Sequence, residues 1–231
     1  MSASTPIITA PPQRPGDSSS SYAASAIRAA ILDGVLEPGS VIPQGALAEQ
    51  LGMSRIPVRD ALRQLETEGL VSIPANKAAR VSRLDLDEFV EIYDLREMVE
   101  PYAVAQSAAR LTRQELERVA TLAAMFDAST HSTDELLRVD REFHMLTMSA
   151  APGQRVRRLI DELQNASQRF RRAYHLMARD DALGPVSHDH HALVSALTAR
   201  DADASREIAL RHIRRTRGLL EPILHQELGH P

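Results

Sequence analysis

Apolar residues recur at helical spacing only from Tyr22 onward. Ala26, Ile27, Ala30 and Ile31 form one stripe, which Asp33-Gly34 stops. Ahead of them, MSASTPIITAPPQRPGDSSSS has too few periodic apolar residues to pack and reads as a disordered leader over residues 1–21. Leu36-Glu37-Pro38-Gly39 reads as a turn. A short helix follows with Leu47, Ala48 and Leu51 inward, ending at Gly52. Ser54 stands at the N-cap position of the next helix, where Val58, Ala61, Leu62 and Leu65 share a stripe that closes at Gly69. Two short helices joined by Leu51-Gly52-Met53-Ser54 predict a helix-turn-helix. Leu70 to Ile73 and Arg80 to Ser82 then alternate like two strands around Pro74-Ala75-Asn76-Lys77-Ala78-Ala79, the pattern of a wing.

From Asp85 to about Gln226 the period is helical throughout, with breaks near Leu111-Thr112, Ser129 to Thr133, Pro152-Gly153, Gly184-Pro185 and Arg200-Asp201. Six long helices are therefore expected, as in a bundle, with a kink or break after Glu100 where Pro101 interrupts the first. The predicted fold is mainly α: a winged helix-turn-helix over residues 22–83, a six-helix all-α bundle over 85–226, and a tail over 227–231.

Charge changes the picture once it is divided by segment. The whole chain is at -4, which disfavours a nucleic-acid partner if evenly spread. Residues 22–84 instead hold seven basic against six acidic side chains, and residues 85–231 hold 19 against 24. Arg55, Arg59 and Arg63 follow at i, i+4 and i+8 on one helical face, within reach of phosphates and base edges together. Lys77, the sole lysine, falls at the wing tip. A solvated surface stripe is the plain alternative. No apolar run reaches the roughly 18 residues of a membrane span, and no signal peptide opens the chain, so a cytoplasmic location without membrane contact is expected.

SRIPVRDALRQLETEGLV, preceded by LAEQLGM and followed by the wing, resembles the DNA-binding domain of the GntR family of bacterial transcription regulators. The resemblance implies DNA contacts by Arg55, Arg59 and Arg63, with Ser54 and Pro57 setting the helix entry and Lys77 at the wing. Gly45 stands where some relatives carry a DNA-contacting arginine. Pro74, Ala75 and Ala78 depart from the usual wing. IYDLREMVEPYAVAQSAARL resembles the opening helix of the FCD-type effector domain of the FadR branch, and six helices resemble its VanR-like subgroup.

The bundle also carries chemistry of its own. Asp140 and His144 are four apart and share a face with Leu136, Leu137 and Thr147, which points both inward. His190, one of a cluster with His188 and His191, begins the apolar stripe containing Leu193 and Val194, and His212 follows Leu210. Three histidines and an aspartate suit a first-row divalent ion such as Zn(II) or Ni(II), while an ordinary ion pair is the alternative for Asp140 and His144. Cysteine is absent, so any ion would be restricted to imidazole and carboxylate ligands. The other histidines, His131, His175, His225 and His230, are expected in solvent.

The FCD resemblance implies that Asp140, His144, His190 and His212 are the metal ligands. It also implies that Arg96 faces the cavity to grip an effector carboxylate, with Glu100 orienting it. Taken alone, Arg96 and Glu100 fit an i,i+4 surface pair equally well. The expected function is a homodimeric, ligand-responsive transcription regulator that binds a short palindromic operator in double-stranded DNA and a small organic acid. It is not expected to be an enzyme, for no HExxH, nucleophile elbow or phosphate loop accompanies the histidines. A metal-dependent hydrolase and a bundle serving dimerisation alone are the competing classes.

Overall fold

The computed structural model describes residues 7–9, 12–13, 15–75, 77–127, 132–177 and 184–228. The chain divides into two compact units between Leu84 and Asp85.

In the first unit, α1 (Ser19–Leu32) packs on α3 (Arg55–Thr67), with α2 (Gln44–Gln50) set against α3 as the other half of the helix-turn-helix. Helix α1 starts three residues before Tyr22, because the Ser18 hydroxyl accepts the Ser21 amide at 3.1 Å and caps it. Between α2 and α3 the chain must reverse within four residues. Gly52 does this at φ +64, a conformation that a Cβ would strain.

The core of this unit joins Ala26, Ile27, Leu47, Val58, Leu62 and Leu65. Ile8 from the segment expected to be disordered also enters it, and its amide donates to Gln50 Oε1 at 3.0 Å. The wing is smaller than the alternation suggested. Strands β1 (Val71–Ser72) and β2 (Arg80–Val81) pair antiparallel with Val71 opposite Val81, and a bridge links Val41 to Arg80.

The second unit holds α4 (Leu86–Ala108), α5 (Arg113–Phe126), α6 (Thr133–Thr147), α7 (Gln154–Met177), α8 (Gly184–Thr198) and α9 (Ala202–Leu228). Helix α4 lies along α9 and α7, while α5 packs on α6 and α8. Phe89, Val104, Leu122, Phe143, Leu193 and Leu197 are buried between them. Of the kink or break expected after Glu100, the break does not occur: α4 runs through Pro101 to Ala108. Pro101 is itself buried in the bundle, and packing on both sides outweighs the one ladder hydrogen bond it removes. Each of α4, α5 and α6 is capped by a side chain, Asp85, Thr112 and Ser132 respectively. No helix among the described residues is long and apolar enough to cross a membrane. Asn76, His131, His230 and residues 128–130 lie outside the described residues.

Candidate functional site

Helix α6 presents Asp140 and His144 one turn apart, α8 presents His190, and α9 presents His212; all four are buried. The three imidazole rings form a near-equilateral triangle, with centroids 5.2 Å apart for His144 and His190, 4.8 Å for His144 and His212, and 4.9 Å for His190 and His212. One nitrogen from each lies within 4.8 Å of the others. Three donors about 2.1 Å from one tetrahedral ion stand about 3.4 Å apart, so the rings turn and draw together to share one centre.

Both ring nitrogens of His190 and Nδ1 of His212 are buried without a hydrogen-bond partner. Each such orphan costs roughly 1–3 kcal/mol, and three together are an expensive arrangement for a merely structural core. Burial, with His144 nearby, lowers His190 to about 3 and His212 well below the usual histidine range. Both rings are therefore neutral at pH 7, the form that donates a lone pair to a metal. The donor set and the orphaned nitrogens fit a divalent transition ion.

Asp140 stands beside this triangle rather than inside it. Its Oδ1 is 3.4 Å from His144 Nε2 and 3.7 Å from His190 Nε2, while its Oδ2 accepts from Arg171 Nη1 at 2.6 Å. Burial pushes its carboxyl upward, but His144 and Arg171 outweigh that and hold it well below the usual carboxylate range. Arg171 also donates to Gln164 and Gln168, each at 3.0 Å.

Arg96 and Glu100 are a buried pair, not a surface one. Arg96 Nε donates to Glu100 Oε1 at 2.7 Å, and Gln164 Nε2 donates to the same oxygen at 2.9 Å. Arg96 Nη1 is left buried without a partner, beside Tyr93, whose hydroxyl is equally unpartnered. Arg96, Asp140, His144, Arg171, Tyr174, His175 and His212 line a cavity of about 40 Å³. That is room for an ion and a few waters.

Arg171, Tyr174 and His175 escaped the sequence reading. His175, expected in solvent, is half-buried and lines the cavity, and burial lowers its pKa. Helix α7 carries six arginines, which hid the two that are buried, Arg169 and Arg171.

On the first unit, Ser54, Arg55, Arg59 and Arg63 are all exposed along α3, Pro57 is half-buried in its first turn, and Lys77 is exposed in the wing loop. The Ser54 hydroxyl makes no capping bond, so the amides at the start of α3 keep their capacity for an anion. A Cβ at Gly45 would meet Arg55 Nη2 at 3.0 Å, so the Arg55 guanidinium lies against α2 at Gly45.

Comparison with known proteins agrees with this division. Residues 20–81 match the bacterial regulatory proteins of the gntR family, and residues 91–215 match the FCD domain. The Nta operon transcriptional regulator of Aminobacter aminovorans is 31% identical over 180 residues, 77% of this chain and 83% of its own. Escherichia coli McbR/YncC superposes with a TM-score of 0.80 at 23% identity, covering 92% of this chain and 99% of that one. A GntR transcriptional regulator from Rhodococcus sp. RHA1 gives a TM-score of 0.69 at 25% identity, over 92% and 98%. The proteins matched are transcription regulators and not enzymes.

Proposed function

Because the chain belongs to the GntR family of bacterial regulatory proteins and carries an FCD domain, we propose that its operator affinity is set by a small organic acid bound at a divalent-metal site in the bundle. The observation that carries this reading is the triangle of buried imidazoles with three unpartnered nitrogens. His144, His190 and His212 would hold the ion, with Asp140 turning from Arg171 toward it as the fourth ligand. Zn(II) or Ni(II) suits these donors. When bound, the ion supplies a Lewis-acidic point for a carboxylate oxygen.

The chain's own residues do the rest. Glu100 fixes the Arg96 fork through Nε, which leaves Nη1 to take the effector's carboxylate. Tyr174 and His175 close the cavity from α7. On the DNA side, Arg59 and Arg63 reach base edges and phosphates, Ser54 and the start of α3 take a phosphate, and Lys77 takes another from the wing. A homodimer presents two such surfaces to a short palindrome, one recognition helix per half-site, in the cytoplasm where the chromosome lies. The effector changes operator affinity only through unequal affinity for the DNA-competent and incompetent arrangements.

The test measures metal content in protein purified without chelator or affinity tag, then operator affinity with and without Zn(II) and a panel of small organic acids. About one equivalent of metal per chain and an acid-dependent affinity are expected. Metal-free protein that binds DNA identically under every condition overturns the proposal.

A further inference from the structure

Ile56 is 63% exposed at the second residue of α3. At about 100° per residue it projects about 180° from buried Leu65 and lies within about 60° of Arg59, Arg63 and Asp60. The other exposed residues of the helix are polar or charged. An isoleucine here costs helix propensity and presents a branched apolar surface to water with nothing on its own unit covering it. Arg55, its neighbour, does not shield it, because the Arg55 guanidinium lies back across α2 over Gly45.

A surface otherwise built for a polyanion gains from such a residue where the polyanion is itself apolar. In the major groove that place is the C5-methyl group of thymine. We infer that Ile56 is a specificity-determining residue which packs on a thymine methyl in each half-site. Along the helix axis, Ile56 and Arg59 are about 4.5 Å apart. With base pairs about 3.4 Å apart, the thymine lies one or two base pairs from the base that Arg59 contacts. The inference rests on α3 being the helix that reads DNA.

The experiment enriches a randomised duplex library on the full-length protein, then replaces each thymine of the enriched site by uracil, which removes only the methyl. One thymine per half-site is expected to lose about fourfold in affinity for the wild type on replacement, the worth of one buried methyl group. The Ile56→Ser and Ile56→Ala variants are expected to bind the uracil and thymine duplexes equally. Uracil tolerated at every position, or penalised equally in wild type and variants, overturns the assignment to Ile56. Failure of any sequence to enrich instead overturns α3 as the reading helix, so the two failures are distinguishable. Ile56 lies outside the core, so both variants keep the folded unit that the test needs.

Discussion

At the scale of single residues, Arg171 holds the candidate site in its present form. Asp140 is almost wholly buried, and its shortest polar contact, 2.6 Å, is to that guanidinium. Arg171→Met leaves the buried carboxylate with His144 but no guanidinium and is expected to cost roughly 3–5 kcal/mol, read as a fall in the urea midpoint of the bundle. An unchanged midpoint would show that Asp140 finds other support. Asp140, His144, His190 and His212 could be singled out in the sequence because each breaks an apolar stripe, and a polar residue in such a stripe requires a reason. Arg171 and His175 could not be found so. They sit on a helix whose arginine-rich composition reads as solvent-facing, and only the packing of α7 reveals which side chains turn inward.

Among the elements, α3 and α5 make separate demands. Arg59→Ala is expected to cost operator affinity by roughly 1–3 kcal/mol if the fork reads a base, with metal content unchanged, while His212→Ala should empty the metal site and leave α3 intact. Anisotropy titrations and metal analysis on the same preparations check both, with circular dichroism confirming the fold. Helix α5 starts with a reciprocal capping box between Thr112 and Glu115. Thr112→Ala is expected to cost about 1 kcal/mol.

The backbone and hydroxyl of Thr112 hold the Glu115 carboxyl below its usual value of 4.5. A group whose pKa is depressed in the folded state contributes fully above the unfolded value and less as pH falls through the folded one. The gap in thermal midpoint between wild type and variant should therefore be constant above about pH 5 and narrow below pH 4.5. Helix existence was legible wherever an apolar period ran between caps. The continuity of α4 was not, because Pro101 breaks a helix in isolation and only its burial against the bundle overrides that.

For the whole molecule, two compact units with separate cores predict two unfolding transitions. Zn(II) at about 100 times its dissociation constant should stabilise the bundle by about 2.7 kcal/mol and leave the winged unit unmoved in calorimetry. A shift of both, or of neither, would contradict a metal site confined to the bundle. The charge division has its own consequence. If the wing reaches DNA, Lys77→Ala should lower the magnitude of the salt slope of operator binding by about 1 per copy, and an unchanged slope would remove the wing from the interface.

The imidazole triangle also separates the candidate centre from metal sites that sense oxidants through thiolate ligands. Thiolate-held ions are released when peroxide carries their ligands up the ladder to sulfenic acid and disulfide. With no cysteine in the sequence and only ring nitrogens and a carboxylate at the candidate centre, those ligands offer peroxide no sulfur to oxidise. Zn(II) bound at this candidate centre should therefore stay in place through an oxidative burst, which metal analysis before and after peroxide checks.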